Sequence, residues 1–92
     1  MDIELINKAI DHFGKESQIT KAVEEMGELT AELCRSLNHY GTNVNIIEEI
    51  ADVLIMMTQL KEIFGPDLVD THIAVKMRRL KNLIDDESRY LK

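Results

Sequence analysis

Apolar side chains recur along the chain at spacings of three and four residues, the period that gathers them on one face of an α-helix. Ile3, Ile6, Ile10 and Phe13 mark a first helix from about Asp2 to Phe13, ended by Gly14. A second stripe of Ile19, Ala22, Val23, Met26, Leu29, Leu33 and Leu37 follows Ser17, a suitable cap, and predicts a helix reaching about His39 before Tyr40 and Gly41. Asn45 with Glu48 three residues later has the form of a capping box, with Asn43 as the alternative cap. The third helix then carries Ile46, Ile50, Val53, Leu54, Met57, Leu60 and Phe64 and stops at Gly65-Pro66. The last begins near Pro66 or Asp67, presents Val69, Ile73, Met77, Leu80 and Ile84, and has a polar end from Asp85. Nothing reads as a strand, repeat or low-complexity segment. The fold class is therefore all-α. Helices two and three, each roughly 30 Å long and joined by a short connection, should form a central antiparallel hairpin.

Length adds a constraint. The 92 residues, 45% hydrophobic and 30% charged, suit one domain. A chain this short buries only about 60 to 65% of its unfolded surface, so a homo-oligomer is expected. The single Cys34 excludes an internal disulfide and a Cys-rich zinc site and fits a reducing compartment, so a cytoplasmic location is expected. No apolar run reaches the roughly 18 residues of a membrane span, and Asp2, Glu4, Asp11 and Glu16 stand where a signal peptide would be apolar. With 17 acidic against 11 basic residues and a net charge of -6, a duplex nucleic acid is a poor partner. Cations, or ligands carried by cations, fit better.

That charge is organised. Glu25 and Glu28 lie three apart on helix two, Glu32 continues their line, and Glu49 and Asp52 repeat the arrangement on helix three. Each pair sits roughly 100 to 120° from the middle of its apolar stripe, at the border between core and solvent. If the hairpin packs through the stripes, four carboxylates converge on one side, where they repel unless a cation neutralises them. Mg²⁺ suits such a set, since it takes hard oxygen ligands and is commonly shared with substrate phosphates; Mn²⁺ is a substitute. The competing reading is an ordinary solvated face, because Glu is a strong helix former. A di-iron carboxylate bundle would bring Glu-x-x-His pairs, which are absent. A non-catalytic helical module for nucleotide binding or protein interaction is the remaining alternative.

The segments QITKAVEEMGELTAEL at 18–33 and IEEIADVLI at 47–55 resemble the EExxE and ExxD motifs of the MazG-like, all-α nucleoside triphosphate pyrophosphohydrolases, in both motifs and in their separation. The resemblance covers about half the chain, weakening into helix four. It implies a four-helix protomer assembled as homodimer or homotetramer, hydrolysing a nucleoside triphosphate to monophosphate and pyrophosphate with Mg²⁺. The implied metal ligands are Glu25, Glu28, Glu49 and Asp52. Glu24, turned about 100° from Glu25, is a supporting or surface candidate. The nucleophile would be water, with Glu25 or Glu28 as the base that takes its proton. Lys76 and Arg79 on helix four are candidates for phosphate binding, against the alternative that they complement the helix dipole. Lys21 either pairs with Glu25, one turn on, or reaches a phosphate.

Base recognition is the least defined function. Among Phe13, Tyr40, Phe64 and Tyr90, the two phenylalanines read as core. Gln18 and Asn45 read as base-edge contacts or caps. His12, His39 and His72 read as surface or capping residues, and Cys34 as a small buried or border residue.

Overall fold

The computed structural model describes the backbone of residues 1–90 and the side chains of residues 1–87. Its described residues form four α-helices and no strand: α1 Ile3–Phe13, α2 Lys15–Leu37, α3 Asn43–Phe64 and α4 Pro66–Tyr90. None is long and apolar enough to cross a membrane.

Two corners are made by single glycines. Gly14 (φ 93°, ψ 148°) joins α1 to α2, and Gly65 (φ 124°, ψ 98°) joins α3 to α4; both conformations are strained for a residue with a Cβ. Because one residue suffices at the first corner, Ser17 is not the cap of α2. That helix starts at Lys15 behind Gly14 and has no side-chain cap. It also ends earlier than the periodicity suggested, at Leu37, where His39 enters positive φ (64°) and breaks the helical run. Thr42 caps α3, in place of the Asn45 box or Asn43. Its extended backbone lets Oγ1 accept from the Asn45 amide at 3.3 Å. Asp2 caps α1 in the same manner, accepting from the Leu5 amide at 3.1 Å. Pro66 opens α4, and the polar stretch from Asp85 continues it, with Lys81 reaching Asp85 at 3.0 Å across one turn.

α2 and α3 form the central pairing, α1 packs against both, and α4 packs against α3 alone. The connection over residues 38–42 is short, and the acidic residues that meet across the pair lie at similar distances from it, so the two helices run antiparallel. On α2 the face turned inward runs through Gln18, Ala22, Glu25, Leu29 and Glu32; on α3 it runs through Ile46, Glu49, Val53, Met56 and Leu60. The seam is thus partly polar. Its buried apolar centre consists of Ile6 and Ile10 from α1, Ala22 from α2 and Met56 from α3, beside buried Gln18, Glu25 and Gln59.

Most of the expected stripe lies elsewhere. Val23, Met26, Leu33, Ile50 and Leu54 are exposed, as are Phe13 and Phe64, which do not form core, and Cys34, which is not buried. Val23, Met26 and Leu33 follow the seam residues Ala22, Glu25 and Glu32 by one position, about 100° round α2. Ile47, Ile50 and Leu54 follow Ile46, Glu49 and Val53 in the same way. In antiparallel helices an equal rotation from the seam leads to the same side of the hairpin, so these residues make one apolar face. Glu28 and Asp52, each about 60° the other way, lie on the opposite side.

The chain is open in form. Its radius of gyration is 17.0 Å, against about 12 Å for a compact chain of this length. α4 meets α3 only near the Gly65 corner, where Lys61 pairs with Asp70 at 2.7 Å, and every described residue from Thr71 onward is exposed.

Candidate metal centre

Glu25 sits between Ala22 and Leu29 on the inward face of α2, where helical phase carries it into the hairpin and leaves it only 7% exposed. One carboxylate oxygen accepts from Lys21 Nζ at 3.1 Å; Oε2 is buried without a partner. Across the seam, α3 supplies Glu49, half-buried, whose Oε2 is likewise buried and unpartnered. Asp52, one turn on, reaches in from the exposed border. Single carboxylate oxygens of Glu25, Glu49 and Asp52 lie within 4.8 Å of one another.

The electrostatics match this crowding. Burial pushes the Glu49 carboxyl above the usual glutamate range, and the neighbouring charges of Glu28, Asp52 and Glu25 push it in the same direction. Glu28 is exposed on α2, and its charge is the largest neighbouring contribution to the raised Glu49 carboxyl. Lys21 is held above the usual lysine range by its hydrogen bond to Glu25 and by that carboxylate's charge, with Glu24 and Glu28 adding to it. Three hard oxygen donors from two helices, two of them with an unpartnered buried oxygen, fit a divalent cation that accepts carboxylates and keeps several waters.

The structure therefore brings Glu25, Glu49 and Asp52 together, with Glu28 and Lys21 beside them. Glu25 and Glu49 lie further inside the seam than the border between core and solvent expected for them, while Asp52 and Glu28 stand at its exposed edge. Glu24 is turned out of the cluster and lines an adjoining pocket with Lys21. Lys76 and Arg79 lie exposed on α4, which does not contact α2. The Tyr90 side chain lies outside the described residues. Glu32 has a larger structural part than its place at the end of the acidic line suggested. Seven residues beyond Glu25 it is only about 20° out of phase, so it returns to the seam, where it pairs with Arg35 and buries its Oε2 without a partner.

No family model, curated protein or solved structure matches the chain.

Proposed function

We propose that this chain is a MazG-like nucleoside triphosphate pyrophosphohydrolase, acting as a homodimer or homotetramer. The observation that carries the reading is the meeting of the two motifs across the hairpin: EExxE supplies Glu25, ExxD supplies Glu49 and Asp52, and their oxygens converge within 4.8 Å. Glu25, Glu28, Glu49 and Asp52 would hold Mg²⁺, or Mn²⁺ in its place. When bound, the ion supplies an acidified water and a counter-charge for phosphate oxygens.

The chain's own groups perform the remaining tasks. Water adds across the α/β phosphoanhydride; its oxygen ends on phosphorus, the bridging oxygen leaves with the other product, and Glu25 or Glu28 takes the proton. Lys21, tied to Glu25 while the carboxylates are uncompensated, turns to a phosphate oxygen once a cation satisfies Glu25. Lys76 and Arg79 add positive charge from α4, a helix that stands away from α2 within the protomer.

Incubation with a panel of canonical and modified nucleoside triphosphates plus Mg²⁺ should yield monophosphate and pyrophosphate. Glu49→Gln and Asp52→Asn should each abolish turnover while helical circular dichroism is retained. Diphosphate with orthophosphate as products, or full activity in either variant, would refute the reading. The uncovered apolar side of the hairpin favours the second reading, a non-catalytic nucleotide-binding or protein-interaction module, and nucleotide binding without turnover in the wild type would select it.

A further inference from the structure

Every described residue of α4 from Thr71 onward is exposed, yet the helix is built to pack. Ile73, Met77, Leu80 and Ile84 recur at alternating spacings of four and three, the interval of a helix–helix seam, and 48 to 59% of each is open. Among the described elements α4 contacts α3 alone, near the Gly65 corner, where the one-residue turn and the Lys61–Asp70 pair at 2.7 Å set the direction in which it leaves. The hairpin is open too. Val23, Met26, Leu33, Ile50 and Leu54 form its apolar face, and on α3 that face runs on through Met57 into a groove of about 380 Å³, which Phe64, Val69 and Ile73 also line. Two apolar surfaces, one on α4 and one on the hairpin, therefore meet at this corner and are otherwise uncovered.

Two copies could cover them in three ways. Hairpin face on hairpin face leaves both α4 stripes bare, and stripe on stripe leaves both hairpins bare; stripe on face covers all four surfaces at once. Charge separates the three in the same direction. Residues 75–81 of α4 hold Lys76, Arg78, Arg79 and Lys81 with no acid, so stripe on stripe brings like charges together. α2 carries five acidic and three basic residues and α3 four and one, so face on face sets one net-negative hairpin against another. Stripe on face pairs opposite signs. The area also fits, since the chain exposes 7463 Å², about 2,000 Å² more than a compact chain of its mass, which is the scale of an obligate dimer. We infer that two copies exchange their last helices: α4 of each lies along the apolar hairpin face of the other, through Ile73, Met77, Leu80 and Ile84. The inference rests on the homodimer named in the proposed function and takes nothing from its chemistry.

Paramagnetic relaxation between chains reads the exchange directly. Asn82 lies on the side of α4 opposite the stripe, about one helix diameter of 10 Å from the covered face. A ¹⁴N chain with Cys34→Ser and Asn82→Cys, carrying a nitroxide at the second position, is unfolded and refolded together with ¹⁵N wild type. Amides of Val23, Met26, Ile50 and Leu54 in the ¹⁵N chain should broaden, and should recover when the nitroxide is reduced. Leu80→Lys should weaken assembly about tenfold or more in sedimentation equilibrium while helical circular dichroism is retained. Broadening confined to α4 of the ¹⁵N chain selects stripe on stripe, and an assembled sample without hairpin broadening selects face on face; either overturns the exchange and leaves the homodimer standing. With nitroxide and ¹⁵N on one chain, diluted into ¹⁴N wild type, broadening of the same hairpin amides would place α4 on its own hairpin and overturn the exchange as well. So would a Leu80→Lys variant that assembles as tightly as the wild type. A monomeric wild type would overturn the exchange and the homodimer together, while the acidic centre is judged separately by its hydrolysis products.

Discussion

Leu54 offers a direct test of what covers the apolar side of the hairpin. In the protomer it is 54% exposed, so Leu54→Lys should cost an isolated chain little, since surface substitutions usually stay within about 0.5 kcal/mol. The protomer as a whole exposes 7463 Å², whereas a compact chain of 10.6 kDa exposes about 5,500 Å². The excess, about 2,000 Å² per chain, is the area that a dimer of the obligate class removes from water. A second copy is thus expected on the face of Val23, Met26, Leu33, Ile50 and Leu54. Full burial of a leucine contributes about 1.5–3 kcal/mol, so the exposed 54% of Leu54 is worth roughly 0.8–1.6 kcal/mol. Twofold symmetry counts it twice, and losing roughly 1.6–3.2 kcal/mol weakens association about 15- to 200-fold before the added cost of burying a lysine.

Sedimentation equilibrium or light scattering at micromolar concentration should find the wild type assembled and Leu54→Lys shifted toward monomer. Thermal melting gives a second reading. A dimer that unfolds as it dissociates gains about 1.4 kcal/mol per tenfold rise in concentration, which for two chains of this length moves Tm by roughly 3–4 °C. A monomeric wild type with a concentration-independent Tm would refute the reasoning, as would a Leu54→Lys variant that assembles as tightly as the wild type.

Two further outcomes test the acidic seam. Mg²⁺ at about 100 times its dissociation constant should stabilise the fold by about 2.7 kcal/mol, raising Tm by roughly 10–20 °C over NaCl of matched ionic strength; Glu28→Gln should shrink that response, and identical responses would remove Glu28 from the site. In metal-free protein Glu49 titrates above the usual glutamate range, so the native state holds its proton where the unfolded chain has released it. The Glu49 contribution to stability therefore falls as pH rises from the ordinary glutamate range through the raised pKa, and thermal melts across that window should show a difference in slope between wild type and Glu49→Gln. Parallel profiles would defeat the assignment.

The number and order of the helices were legible because Gly14, Gly41 and Gly65 interrupt sequences of high helix propensity, and no competing pattern spans those breaks. Cap identity was less legible. Thr42, Asn43 and Asn45 are all good N-cap types within four residues, and the choice falls to Thr42 because the backbone there is extended. The carboxylates were legible from their spacing, but not their place in the packing. A stripe of Met26, Leu33, Ile50 and Leu54 demands burial without specifying which chain supplies the cover, and the protomer instead closes on a face containing Gln18, Glu25, Glu49 and Met56. Lys76 and Arg79 share that difficulty, since helical phase fixes where they lie around α4 and says nothing about what α4 meets.

The inward face of α2 shows why the seam is better understood through binding than through packing. Its positions 18, 22, 25, 29 and 32 repeat at the spacing of a coiled-coil core, where apolar side chains interlock. Ala22 and Leu29 conform; Glu25 and Glu32 do not, and α3 answers them with Glu49 rather than with Lys or Arg. Had the acids served as interhelical ion pairs, basic partners across the seam would be expected. Instead the basic residues that meet them, Lys21 and Arg35, come from α2 itself, one turn before Glu25 and one turn after Glu32. Such pairs compensate one oxygen of each acid while Oε2 of Glu25, Glu32 and Glu49 stays buried and unmatched. Local rules of core packing and polar satisfaction are thus broken together, on the two helices that otherwise define the fold. On the proposed reading, a divalent cation between Glu25, Glu49 and Asp52 would supply a partner for the buried Oε2 of Glu25 and Glu49 and turn repulsion between α2 and α3 into a shared attachment.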